Sequence, residues 1–406
     1  MTTYVGTLGN DRKPQDFTPT LPPFPSAISD SRVYGDTDGE LNDNQRGGND
    51  RIEIAGDDNF LYGDTVFMYD NTRGGNDKLT ATGNFNELYG DTVFMYDNTR
   101  GGNDNLTATG NNNFLFGDAR GRMLDNARGG NDTLTATGND NFSSGDTFDM
   151  FDNTRGGNDT LTATGNDNSL YGDAAFMRDN ARGGNDQLTA IGNDNFSSGD
   201  TLEMSGKARG GNDQLTATGN FNSLYGDTLL MYDNAIGGDD KLTATGNDNR
   251  LSGDASLMTN NTRGGNDQLR ATGNNNRLYG DAGTMRDNTR GGDDILIASG
   301  GVNTMWGDAE FLGTGVITGR DIFVVQKGVI PSPSGDMDYN IIKDFRPGED
   351  RIGLSCGLFF HKLYFGVDPA NNTTLNIFSD STQTDLLAKV ENVTSLSRND
   401  FVYFFA

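Results

Sequence analysis

Ten regularly spaced Gly-Gly pairs punctuate the chain, beginning at Gly47, Gly74, Gly101, Gly129, Gly156, Gly183, Gly210, Gly237, Gly264 and Gly291. The step between them is 27 residues, except for one step of 28. A period of this length means stacked copies of one supersecondary unit, none of which can bury its apolar side chains alone. Residues 74–100, GGNDKLTATGNFNELYGDTVFMYDNTR, are a representative copy. Leu79 and Leu88 each lie in a short β-prone run, KLTAT and NELY, bracketed by Gly, Asn and Asp. Such runs are too short for helices and their flanks form turns, so they read as strands. Alternation within LTAT sends Leu79 and Ala81 to one face and Thr80 and Thr82 to the other. Stacked at strand spacing, about 4.8 Å, the coils would bury ladders of Leu, Ala and Met. The expected fold is all-β, a parallel β-solenoid.

The acidic positions repeat as strictly as the glycines. Counting each unit from its first Gly, position 4 is Asp in every copy: Asp50, Asp77, Asp104, Asp132, Asp159, Asp186, Asp213, Asp240, Asp267 and Asp294. Position 18 is Asp in every copy too: Asp64, Asp91, Asp118, Asp146, Asp173, Asp200, Asp227, Asp254, Asp281 and Asp308. Stacking sets each carboxylate against its copy one coil away, a repulsion of about 0.8 kcal/mol per pair in water and several times more at a protein surface. A cation between them is required. Gly-rich turns also aim carbonyl oxygens inward, which suits a hard divalent ion; calcium tolerates an irregular oxygen site better than magnesium. All twenty aspartates are therefore candidate calcium ligands.

Two other ladders compete. Position 27 is Arg in nearly every copy (Arg46, Arg73, Arg100, Arg128, Arg155, Arg182, Arg209, Arg263, Arg290), with Ile236 the exception. These guanidinium groups could neutralise one Asp row without metal. Position 13 is Asn (Asn59, Asn86, Asn113 and onward), and stacked Asn can form amide ladders without an ion. One calcium row on the GGND side is expected, and a full second row is not required.

These residues carry a family resemblance. GGNDxL keeps the G-x-D-x-U core of the RTX nonapeptide, and LYGD resembles its strand-to-turn junction, so residues 34–308 resemble a hemolysin-type (RTX) calcium-binding β-roll. The family's plain coil is two nonapeptides; this unit carries nine residues more, such as 92–100. We read them as an extension of one turn, because the one-residue insertions (in 37–46 and 119–128) and the most divergent stretch (201–209) fall there. The rival reading is a third strand and a triangular coil. It draws on the recurrent Met68, Met95, Met123, Met150, Met177, Met204, Met231, Met258 and Met285.

Outside the array, residues 1–33 hold a stray GTLGND fragment and Pro14, Pro19, Pro22, Pro23 and Pro25. They read as a Pro-rich linker or tail, or as an arm laid along the first coil. Residues 309–406 form a C-terminal cap, with strands expected at 321–326, 339–345, 350–355, 362–367 and 374–378. The stretch NIIKDFRPGEDRIGLS and the ending SRNDFVYFFA resemble the C-terminal region of RTX exoproteins. That resemblance implies export by type I secretion machinery to the cell exterior, in keeping with an N-terminus that shows no apolar signal core. Trp306, in the last regular coil, is expected to pack at the solenoid's end.

Composition narrows the function. Hydrophobic residues are 33% of the 406, which would suggest disorder without the repeat. A net charge of −27 argues against nucleic acid and anionic membranes as partners. No apolar run is long enough to span a membrane. The chain holds one Cys (Cys356) and one His (His361), too few for a disulfide framework, a His-based triad or a zinc site, and no enzyme is expected. The expected role is a calcium-folded structural or binding module at the cell exterior. Its partner is left among a polysaccharide, a second copy of the chain, a surface layer, and ice. Ice enters through the outward Thr pairs Thr80/Thr82, Thr107/Thr109, Thr135/Thr137, Thr162/Thr164, Thr216/Thr218 and Thr243/Thr245, although Ile191, Arg270 and Ile297 interrupt them. A carbohydrate-acting exoenzyme built on the solenoid is the remaining alternative.

Overall fold

A computed structural model describes residues 1–13, 16–22, 27–327, 338–355 and 357–404. Two compact units emerge, Met1–Leu215 and Thr216–Ala406, each a parallel β-solenoid.

In the first unit each regular coil contributes three strands, for example Lys78–Thr82, Glu87–Tyr89 and Thr92–Met95. Each stacks on its counterpart in the neighbouring coil, so three parallel sheets run along the unit. The register joins like to like. Leu79 pairs with Leu106 and Leu106 with Leu134, while Ala81, Ala108 and Ala136 form the next ladder inward. All six side chains are buried. Alternation does this work: in KLTAT the second and fourth residues point in and the fifth is exposed.

The extension corrects one expectation. The nine added residues are not an irregular turn, because each carries a strand, such as Thr92–Met95, Ala119–Met123 and Thr147–Met150, and these form the third sheet. The rival three-strand reading is the one observed. Its physical basis is a small core of its own: Leu41, Met68, Met95, Met123, Ala119 and Ala127 form one buried cluster. The segment still leaves and returns at one point, where the Gly102 N–H donates to Asp91 Oδ2 at 3.0 Å.

At the N-terminus, Thr2–Val5 lies parallel to Ser31–Tyr34, and Phe17 and Leu21 are buried, so this arm is laid on the first coil. Pro14, Pro23 and Pro25 lie outside the described residues.

The second unit repeats the three-strand coil with Lys241–Thr245, Arg250–Ser252 and Ala255–Met258. Coiling continues after the repeat sequence stops. Ile322–Val325 pairs with Ile295–Ser299, Arg351–Leu354 with Ile322–Val325, and Phe401–Tyr403 with Arg351–Leu354, all parallel. Tyr364–Asp368 and Asn371–Phe378 form an antiparallel ribbon against Leu386–Val390. Each cap strand expected from sequence has an observed counterpart, with Tyr339–Ile342 the remaining one. Trp306 stacks on Tyr279 with ring centroids 4.6 Å apart. Cys356 lies outside the described residues; His361 sits in a single 3-10 turn beside the Phe359 ring.

Candidate metal centre

The position-18 aspartate lies in the bend between the second- and third-sheet strands of its coil, and the position-4 aspartate precedes the first-sheet strand of the next. In sequence these look like two separate turns. In the folded coil the neck of the extension brings them together, and both rows face one interior. All twenty aspartates singled out from sequence are buried, at 0–3% exposure.

Three groups are closest. Ligand atoms of Asp36, Asp50 and Asp64 lie within 4.8 Å of one another, and the same holds for Asp64, Asp77 and Asp91 and for Asp91, Asp104 and Asp118. Each group takes two position-18 carboxylates from successive coils and the position-4 carboxylate between them. Asp64 and Asp91 therefore belong to two groups each.

One oxygen of each carboxylate holds backbone. The Asp50 N–H donates to Asp77 Oδ1 and the Asp77 N–H to Asp104 Oδ1, both at 2.6 Å. Gly75 N–H donates to Asp64 Oδ2 at 3.0 Å. The second oxygen is left over: Asp50 Oδ2, Asp64 Oδ1, Asp77 Oδ2, Asp91 Oδ1 and Asp104 Oδ2 are buried without a hydrogen-bond partner. Such groups are costly unless something satisfies them. The glycines keep this space open. A Cβ on Gly90 would overlap the Gly117 carbonyl oxygen and Asp104 Oδ2, and one on Gly101 would overlap Asp118 Oδ1. Backbone carbonyl oxygen and carboxylate oxygen thus line the same small volume.

The electrostatics follow from burial. Desolvation pushes Asp50 up to about 8, and Asp36 and Asp91 up to about 6. Asp64, Asp77, Asp104 and Asp118 are held well above the ordinary carboxylate range, first by burial and then by the charges of neighbouring aspartates. Left to itself, the row cannot ionise together; it must keep protons or take a cation. The donor set of buried carboxylate and carbonyl oxygens fits a metal ion.

The arginine ladder does not supply that charge, which corrects the competing expectation. Arg73, Arg100, Arg128, Arg155 and Arg182 are exposed and stack through backbone bridges along the outside. Among the described residues, no ion pair joins them to the interior aspartates. In the second unit a different arginine does so, Arg346 pairing with Asp308. The Asn ladder forms as expected. Asn59 Nδ2 donates to Asn86 Oδ1 at 3.0 Å and Asn141 Nδ2 to Asn168 Oδ1 at 3.1 Å, all buried.

Sequence reasoning missed four members of the row. Asp36 completes the first group, and its signal, Tyr34-Gly35-Asp36, was legible. Asp11 was visible in GTLGND; its N–H donates to Asp50 Oδ1. Asp321 and Asp350 extend the row past the last Gly-Gly pair, the Asp321 N–H reaching Asp350 Oδ1 at 3.1 Å. Their signal had decayed to TGRD and PGED.

On the outside of the first sheet, Thr80, Thr107, Thr135, Thr162 and Thr189 are in register, half-buried, beside exposed Thr82, Thr109, Thr137 and Thr164. No helix is long and apolar enough to cross a membrane among the described residues. No protein-family model matches the chain and no curated protein matches it, so what the chain is rests on its own coil: a repeat of about 27 residues that winds a parallel β-solenoid around buried aspartates able to hold a metal ion.

Proposed function

We propose that the chain is a calcium-binding β-solenoid of the RTX kind, exported by a type I route, which completes its folding on calcium outside the cell and serves there as a non-catalytic structural or binding module. The observation that carries this reading is the trio Asp64, Asp77 and Asp91, fully buried, mutually within 4.8 Å, with oxygens left over and no cationic side chain among them. Calcium bound there supplies the charge that lets these carboxylates ionise together. The chain's residues do the rest: Gly90 and Gly101 clear the space, and backbone N–H groups fix one oxygen of each carboxylate. With few apolar side chains and a net charge of −27, the metal-free coil is expected to be loose and export-competent.

The test is a calcium titration of chelated protein, followed by far-UV circular dichroism and reversed with chelator. A gain of β structure at calcium levels far below those at which magnesium acts supports the reading. Full β structure in chelator at pH 8, unchanged by calcium, sinks it.

A second reading is favoured by the paired Thr ladders, whose even spacing and exposure resemble an ice-binding face. Thermal hysteresis of the folded protein decides it. Freezing-point depression lost in Thr109→Lys would favour ice; none leaves the ladders as soluble β-formers.

A further inference from the structure

Between the second and third sheets of the first unit, the position-16 rings Tyr34, Tyr62, Tyr89 and Phe116 form a buried cluster, with Val66 and Val93 packed against it. One coil breaks this pattern. The 28-residue copy carries Arg120-Gly121-Arg122 in its third strand, and the register shifts between Ala119 and Arg122 against both neighbouring strands. Gly121 fits there because a Cβ would press on the Phe94 ring at 2.7 Å. Beside this bulge the packing opens into a groove of about 620 Å³, walled by Phe94, Phe114, Phe142 and Phe148 and rimmed by Arg120 and Arg122.

The groove's chemistry is specific. Phe114 and Phe148 remain 41% and 40% exposed although large rings usually bury. They flank Phe142 at centroid distances of 5.8 and 6.5 Å, tilted by 31° and 34°, so the rings present a faceted wall. Both arginines are held by partners: Arg120 Nε lies 2.8 Å from Glu87 Oε2, and Arg122 Nε lies 3.4 Å from Asp149 Oδ2. The arginine side chains are still 52% and 56% exposed, which leaves oriented donors at the rim.

We propose that this groove binds a neutral hexopyranose chain. The electron-rich ring faces suit the C–H faces of a pyranose, and the Arg122–Asp149 pair, both of whose members line the groove, offers a donor and an acceptor side by side, the complement of a vicinal diol. Charge selects neutral over acidic sugars. Both guanidinium groups are already paired, and a chain of net charge −27 repels polyanions. A volume of this size is in the range of small-ligand sites, with apolar walls and few placed polar groups. The site names a partner class for the binding module proposed above, and rests on that reading only for the calcium-loaded fold.

The experiment is calorimetric titration of full-length, calcium-loaded protein with cellohexaose, maltohexaose and polygalacturonate, with circular dichroism recorded alongside. Binding of a neutral oligosaccharide is expected, weakened at least tenfold in the double variant F114A/F148A and lost on deletion of Gly121. Both phenylalanines are exposed, so the double variant should keep the wild-type spectrum. Folded wild-type protein that ignores both neutral sugars, or a double variant that binds equally well, overturns the proposal. So does a preference for polygalacturonate, or self-association in sedimentation that vanishes with F114A/F148A, which would assign the groove to a second copy. A chain that binds the sugar but folds without calcium would keep this site and remove the calcium reading.

Discussion

At the scale of single residues, the buried carboxylates make stability depend on pH in a direction opposite to that of most proteins. An aspartate whose folded pKa stands above its unfolded value holds its proton in the native state after the unfolded chain has released it. The folded state therefore binds more protons, and stability falls as pH rises from the ordinary carboxylate value of 3.8 through the folded pKa, about 6 for Asp36 and Asp91, about 7 for Asp254 and about 8 for Asp50. Each unit of such a shift removes about 1.4 kcal/mol above that pKa. In chelator, β structure and melting temperature should be highest near pH 4 and fall away toward pH 8, where the metal-free coil loosens. With calcium the trend should reverse, because fewer protons remain to be displaced. A melting curve in chelator that rises with pH would mean the row ionises freely and needs no cation. Asp77→Asn separates the two contributions. The amide oxygen can still accept from the Asp50 N–H, so the backbone contact survives while the charge goes. The variant should be more stable than the parent in chelator at pH 8, and bind calcium at least tenfold more weakly. No change in either measurement would remove Asp77 from the ligand set.

At the scale of elements, the third strand separates what the sequence shows from what it hides. The Leu79 and Leu88 runs are legible because alternating side chains are bracketed by turn formers. In TVFM only Thr92 and Met95 are buried, and Tyr-Asp-Asn follows at once, so the segment resembles a turn. Its partners are the third strands of the neighbouring coils, and Met95 is buried against Met68 and Met123, so nothing local announces those contacts. The convergence of the two Asp rows is hidden for the same reason. Asp64 and Asp77 meet only once the extension closes at its neck, held by the Gly75 N–H on Asp64. If the strand is structural, Met95→Ala should cost about 2–4 kcal/mol in calcium-loaded chemical denaturation, the usual loss for a fully buried side chain of this size. A loop would lose under about 0.5 kcal/mol, so the measurement discriminates.

For the molecule as a whole, what matters is that the sites share ligands. Asp64 serves the groups centred on Asp50 and Asp77, and Asp91 those centred on Asp77 and Asp104. Ordering one coil sets one of the three carboxylates of the next group, and a coil cannot bury its Leu, Ala and Met ladders until a neighbour is present. Both effects favour a second ion beside the first. Sharing also has an opposing side, since each bridging carboxylate divides its charge between two ions. The folding gain should win, because the metal-free neighbour still carries unsatisfied buried carboxylates whose pKa values stand well above the ordinary range. Calcium binding to the full chain should therefore be steeper than independent sites allow, with a Hill coefficient clearly above one, and the circular dichroism change should track occupancy. Asp91→Asn touches two groups and Asp104→Asn only one of the three, so the first should blunt the steepness more than the second. Equal blunting, or a titration no steeper than independent sites, would mean the coils bind their ions one at a time and the shared carboxylates transmit nothing.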